Sequence, residues 1–383
     1  MFINLHCHLL NFTFIPDSYF KTRTPIREWL LRRRSTGWLA RTMAFIWPGR
    51  KYNWIHEALE IFRSNIDDVA KKLIKEMAEA DILLSTPLAM DMDTVSFKER
   101  PEYPYRVQIK LLSDIALKYP GKVLPFVMFD PRRKSALELT VTALEEMGFL
   151  GVKMYPALGY HPDPSSFLNE PEVNKALEEL YKYCHTNLIP ITAHCSRASA
   201  YSDYLVRCKG LVQELCQPSS WKGVLEKFPK LYLNLAHFGG KEKDERFLDY
   251  KGPDSWSYHI LQLMKEYSHI YADLSYHDMA LKKETSKDYF ERLTFLMKDN
   301  VYRQRILFGT DWPITRHTWT EEDYTSTFQR ELLKENLRQI AFKNPLDFLF
   351  PERNLPARIE HFFRSNHKTF PSWMKDSLQG TEE

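Results

Sequence analysis

Two histidines stand one residue apart near the start of the chain, His6-Cys7-His8, at the end of an apolar run that begins at Phe2. Side chains two apart on a strand point to the same face, so both imidazoles can converge on one ion. Three other apolar runs end in the same kind of residue: Ala193-His194-Cys195, Ala236-His237-Phe238, and a run followed by Gly309-Thr310-Asp311-Trp312-Pro313. Taken singly, each is weak, because a histidine after an apolar strand is more often a hydrogen-bonded structural residue than a ligand. Taken together they deliver four histidines and a carboxylate, all metal-ligand types, from runs far apart in the chain. A structural explanation must invoke a separate accident at each.

Those residues need elements that bring them to one place. Eight short apolar, β-rich runs recur along the sequence: Phe2–His8, Ile82–Thr86, Lys122–Phe129, Gly151–Tyr155, Leu188–His194, Leu231–His237, Ile270–Leu274 and Arg305–Gly309. Between them lie stretches with apolar residues at three- and four-residue steps, which predict helices over Ile66–Ala80, Ser135–Met147, Pro171–Thr186, Ser255–Tyr267 and Lys287–Lys298. Strands that are apolar without alternation suit a parallel sheet covered on both faces. Alternating with helices eight times, they predict an α/β fold of the (β/α)8 TIM-barrel type, whose catalytic residues gather at the C-terminal strand ends. A doubly wound open sheet is the competitor, but no Gly-x-Gly-x-x-Gly turn or Walker-type phosphate loop is present. The expected organisation is a barrel over residues 1–350, with a long insertion after the first strand at 11–64 that could act as a lid. Residues 351–383 are expected to form an appendage packed outside the barrel.

Composition narrows the function classes. With 53 basic and 50 acidic side chains the net charge is +3, far from the excess of a nucleic-acid-binding domain. No run approaches the ~18 apolar residues of a spanning helix, and the first residues lack the features of a secretory leader, so a soluble, cytoplasmic chain is expected. Five cysteines without a Cys-x-x-Cys pair read as reduced thiols. One local asymmetry stands out, because residues 21–51 carry nine basic side chains and a single acid, Glu28, interleaved with Trp29, Trp38 and Trp47. That mix could suit an anionic surface or partner, or it could be a solvated insertion whose tryptophans pack on the body. A homo-oligomer is compatible with the sequence.

The segments LHCHLL, GVKMYP, ITAHCS, LNLAHFGG, YADLS and ILFGTDWP resemble the amidohydrolase superfamily. Within it they are most similar to the branch that holds aminocarboxymuconate-semialdehyde decarboxylase and related aromatic-acid decarboxylases beside many hydrolases. The resemblance implies that His6, His8, His194 and Asp311 bind a divalent ion, most often zinc, and that His237 binds a second ion or lies beside the metal-bound water. Catalytic zinc lowers the pKa of such a water to about 7, and Asp311 would carry its proton to the leaving group. His237, if not a ligand, would hydrogen-bond a developing oxyanion. Lys153 falls where two-metal members of the superfamily place a carboxylated, bridging lysine; a grip on a substrate carboxylate and a structural salt bridge are the alternatives. Arg197 could bind an acidic substrate, and Tyr155, Tyr160 and Trp312 could line the pocket. Asp273 and His277 could orient a ligand histidine, whereas His56, His161 and His317 have no positional argument. The leading expectation is hydrolysis of a carbon–oxygen or carbon–nitrogen bond in a small lactone, ester or amide. Non-oxidative decarboxylation of an aromatic or unsaturated acid uses the same residues, and a barrel serving as a binding scaffold is a third possibility.

Overall fold

The computed structural model describes residues 1–19, 59–241 and 247–380. The basic segment 21–51, His56 and most of the expected 11–64 insertion lie outside the described residues. Eight parallel strands run in chain order: β1 (Phe2–Cys7), β2 (Ile82–Pro87), β3 (Phe126–Phe129), β4 (Gly151–Met154), β5 (Ile191–Ala193), β6 (Leu233–Leu235), β7 (Ile270–Asp273) and β8 (Ile306–Leu307). Each matches one of the eight apolar runs. Their residues are buried apart from Leu83, which explains why the pattern does not alternate.

Continuous ladders join β1 to β2 and β3 through β8, and single hydrogen bonds close the ring. Between β2 and β3, Ser85 N donates to Lys122 O at 2.9 Å and Leu124 N to Ser85 O at 3.2 Å. Between β8 and β1, Leu5 N donates to Phe308 O (3.2 Å), Asp311 N to His6 O (2.7 Å) and His8 N to Trp312 O (2.6 Å). The first and last chemical segments of the chain are thereby zipped side by side.

Helices cover the outside as the periodicity predicts. In α1 (Ile66–Glu79) the buried residues Ile66, Val69, Ala70, Leu73 and Met77 form one stripe, and the helix starts where the Asn65 side chain accepts from Asp68 N. The other principal helices are α2 (Tyr105–Lys118), α3 (Ala136–Glu146), α4 (Pro171–Asn187), α5 (Lys209–Cys216), α6 (Lys222–Lys227), α7 (Trp256–Glu266), α8 (Ser286–Leu296) and α9 (Glu321–Glu331). A reciprocal capping box between Thr320 and Asp323 fixes the start of α9.

The C-terminal segment packs against one end of the barrel. Its helices α10 (Ala357–Ser365) and α11 (Ser372–Gln379) share a buried apolar cluster with Ile3, Leu5, Leu84, Phe126, Leu150 and Leu307 of the strands. Arg358 donates to the carbonyls of Leu144 (3.0 Å) and Leu150 (2.6 Å), and to that of Phe149, just ahead of β4. The segment therefore closes the N-terminal floor of the barrel, at the end opposite the histidines. All five cysteines are free thiols. Among the described residues, no helix is long and apolar enough to cross a membrane.

Candidate metal centre

The C-terminal ends of β1, β5 and β6, with the loop after β8, bring His6, His8, His194, His237 and Asp311 together, all of them buried. His6, His8 and Asp311 form one compact group, each offering an atom within 4.8 Å of the others, and His6, His237 and Asp273 form a second. His194 joins through His237, with ring nitrogens 3.2 Å apart (Nδ1 to Nε2).

Counting protons around the rings shows what the cluster is built to hold. Ser275 donates its single hydroxyl proton to Asp273 Oδ1. Its oxygen can then only accept from His237 Nδ1, 2.9 Å away. His6 Nδ1 lies 3.1 Å from Asp273 Oδ2 and 3.0 Å from the same hydroxyl oxygen, so it too is the protonated nitrogen. His8 Nδ1 donates to Leu88 O at 2.8 Å. Ser199 gives its proton to Ser196 O (2.9 Å), so the contact of 2.8 Å with His194 Nε2 makes that nitrogen a donor. In each neutral ring this leaves one lone pair: Nε2 of His6, His8 and His237, and Nδ1 of His194.

These lone pairs face each other or a carboxylate. His8 Nε2 is 3.1 Å and His6 Nε2 is 3.5 Å from Asp311 Oδ1, an oxygen that has no well-formed hydrogen bond of its own. Acceptor facing acceptor at such distances is repulsive unless a cation intervenes. A divalent ion therefore fits this donor set, with outer partners holding each imidazole as they do around catalytic metals.

The electrostatics agree. Burial lowers the pKa of His6 against the pull of Asp273. Burial, with His237, Lys153 and His6 nearby, holds His194 well below the usual range. Burial and His6 push His237 down to about 3. The rings of His6, His194 and His237 are thus held neutral, as ligands must be. For the acids burial acts upward and is outweighed by positive charge beside them, at Asp273 with the Ser275 hydroxyl as well; with the rings neutral, a divalent ion would supply that charge at Asp311. Both remain carboxylates.

The remaining candidates divide. Lys153, at the third position of β4, is fully buried and its Nζ has no hydrogen-bond partner, so the salt-bridge alternative is not realised. Burial lowers its pKa to about 8 despite Asp273 and Asp311. Tyr155 stacks on His194 with centroids 4.2 Å apart, and its hydroxyl accepts from Ala200 N (3.0 Å). Arg197, proposed for an acidic substrate, lies over the Trp256 ring at 4.7 Å and reaches Asp254 O at 3.5 Å. Trp312 does not line a pocket: it is fully buried and its indole donates to Glu76 Oε2 of α1 at 3.2 Å. Tyr160 likewise packs inside, accepting from Tyr155 N. Asp273 orients His6 directly and also accepts from His237 N (3.1 Å). His277 donates to His237 O (2.8 Å) while its Nδ1 meets the Tyr289 hydroxyl (2.9 Å). Those two bonds clamp His237 in a left-handed conformation, φ 62°, which is costly for a side chain of this kind. His161 and His317 make local contacts in their own loops.

Sequence reasoning missed Asn4, Ser199, Ser275, Thr310 and Glu321, which hold the site from behind. It also missed Tyr276, which has φ 61° and is 40% exposed beside the cluster. The only signal for Asn4 and Ser275 was a polar residue inside or just after an apolar run.

A sequence profile described as amidohydrolase matches residues 90–350. The chain belongs to the amidohydrolase family. The matched stretch contains Lys153, His194, His237 and Asp311 and begins beyond His6 and His8. No curated protein matches the chain. Among solved structures, an uncharacterised TIM-barrel protein from Bordetella bronchiseptica is similar at TM-score 0.54 and 16% identity, over 91% of this chain and 98% of that one. A 5-carboxyvanillate decarboxylase from Novosphingobium aromaticivorans, an Asp-to-Asn mutant with bound manganese, is similar at TM-score 0.53 and 14% identity over 91% and 97%. The 2,6-dihydroxybenzoate decarboxylase from Rhizobium gives 0.52 and 14% over 91% and 98%. At these identities the likeness is one of fold, the (β/α)8 barrel.

Proposed function

We propose that this amidohydrolase-family chain is a metal-dependent hydrolase that cleaves a carbon–oxygen or carbon–nitrogen bond in a small lactone, ester or amide. The observation that carries the reading is the set of four inward imidazole lone pairs around Asp311. His6, His8, His194 and Asp311 would hold a divalent ion, zinc by the type of the donors, and His237, whose lone pair also faces inward, would join them. A divalent ion there supplies Lewis acidity and a water ionised near neutral pH. Asp311 would take up the proton released by the nucleophilic water and pass it to the leaving group. With its Nδ1 proton given to Ser275, His237 offers a lone pair inward, so a ligand role suits it better than an oxyanion donor. Tyr155 supplies an apolar wall against His194.

A second reading is non-oxidative decarboxylation, favoured by Lys153: a buried amine without a hydrogen-bond partner at the cluster suits a substrate carboxylate. The manganese-bound 5-carboxyvanillate decarboxylase and the 2,6-dihydroxybenzoate decarboxylase share the fold, which lends that reading weight. Incubating the metal-loaded protein with panels of lactones, esters and amides, and separately with hydroxybenzoates, decides between them. Ring opening or ester cleavage supports hydrolysis. Release of carbon dioxide from a hydroxybenzoate, without activity on the first panel, would overturn it.

A further inference from the structure

Behind the cluster, away from the inward lone pairs, a buried polar unit links the two ends of the chain. Asn4 lies two residues before His6, and Thr310 directly precedes Asp311. Asn4 Oδ1 accepts from His6 N (3.1 Å) and from Thr310 N (3.2 Å), so one amide oxygen ties both ligand-bearing backbones. Asn4 Nδ2 donates to Thr310 Oγ1 (2.8 Å) and to Glu321 Oε2 (3.3 Å). The Thr310 hydroxyl donates to Glu321 Oε1 (2.6 Å) and accepts from Trp312 N (3.3 Å). Glu321 is only 1% exposed and begins α9, whose capping box fixes its position. Nothing in hydrolysis or decarboxylation requires a buried carboxyl here, and it forms no ion pair among the described residues.

We infer that Glu321 is a positioning residue for the metal centre. Through Thr310 and Asn4 it sets the distance between the His6 and Asp311 backbones and so the affinity of the site for its ion. The chain of contacts gives this physical content. Glu321 fixes the rotamers of Thr310 and Asn4, and Asn4 fixes the register in which β1 meets the loop after β8. Outer partners of metal ligands typically contribute about 10–100-fold to metal affinity by such restraint. Glu321 accepts on both carboxyl oxygens, from the Thr310 hydroxyl and from Asn4 Nδ2; glutamine keeps one of these acceptors and presents an amide N–H in place of the other. Glutamine should therefore replace Glu321 in part, whereas alanine leaves the Thr310 hydroxyl proton and one Asn4 amide proton without an acceptor.

The inference rests on the reading that His6 and Asp311 hold a metal, and the test separates the two. Zinc and manganese affinities are measured by competition with a chromogenic chelator, alongside thermal unfolding, for the wild type and for Asp311→Asn, Glu321→Ala, Glu321→Gln and Thr310→Val. Thr310→Val keeps the shape of the side chain and covers the case in which Glu321→Ala fails to fold. Expected are tight binding by the wild type, loss in Asp311→Asn, affinities about 10–100-fold weaker in Glu321→Ala and Thr310→Val, and partial recovery in Glu321→Gln. Wild-type affinity in Glu321→Ala or Thr310→Val, whatever their unfolding temperatures, overturns the positioning role while leaving the metal site standing. No binding by the wild type overturns the metal reading itself, and the inference falls with it.

Discussion

At the scale of single residues, the decisive feature is which nitrogen of each imidazole carries the proton, and that was not legible in the sequence. Spacing could say that His6 and His8 share a face. It could not say that Ser275, Ser199 and Leu88 would dictate the tautomers, because those partners come from other strands and loops. Removal of one inward nitrogen, as in His8→Ala, is expected to lower metal affinity by more than the about 10–100-fold typical of an outer partner, as read by metal analysis after dialysis. Lys153 makes a different forecast, since among the described residues its buried amine has no hydrogen-bond partner and lies only over the Tyr155 ring, at 5.5 Å. Replacing it by methionine should raise the stability of the metal-free protein by about 1–3 kcal/mol, the scale of an unsatisfied buried donor, while reducing turnover. Denaturant melts and rate assays on the same samples check both. The same variant addresses stoichiometry, because two bound ions falling to one would support a bridging lysine and one ion unaffected would exclude it.

At the scale of elements, the strands and helices α1, α3, α4, α7 and α8 follow from apolar pattern alone, because burial of the strands on both faces leaves no alternation to confuse the reading, whereas α2, α5, α6 and α9 were not anticipated. The C-terminal helices were harder. Their apolar faces announce packing but not what they pack on, and the cluster with Ile3, Leu84 and Phe126 shows them to be the barrel floor. Phe362→Ala should therefore cost about 3–5 kcal/mol in chemical denaturation, as a core truncation does, with metal affinity unchanged at the far end. Helix α9 carries the clearest pH dependence. Burial, opposed by the Thr310 bond and reinforced by Glu76, raises Glu321 from 4.5 to about 8. Between those values the folded protein keeps a proton that the unfolded chain releases. Its stabilising effect is therefore full below about 4.5 and is lost as pH rises through about 8. Glu321→Gln removes this slope. Between pH 5 and pH 8.5 the wild type should lose stability on the order of a few kcal/mol that the variant does not lose. Parallel pH profiles of the two proteins would count against a neutral Glu321.

For the whole molecule, the arrangement couples metal binding to the closure of the barrel. His6 and Asp311 lie far apart in the chain and meet only because β1 and β8 are neighbours. In the metal-free state the inward lone pairs and Asp311 Oδ1 repel one another across that seam. An ion that binds only the folded state replaces this repulsion with attraction and adds stability as RT ln(1 + [L]/Kd), about 2.7 kcal/mol at a hundred times Kd. Zinc or manganese should therefore raise the unfolding temperature in a concentration-dependent way, and a chelator should return it to the metal-free value. Phe362→Ala, which weakens the floor, should start lower yet keep the full metal-induced rise, because floor and mouth are separate. His8→Ala and Asp311→Asn should start near or above the metal-free wild type, since each removes part of the repulsion, and should show little rise. A floor variant that loses the rise, or a ligand variant that retains it, would mean that the ion stabilises the fold from somewhere other than this seam.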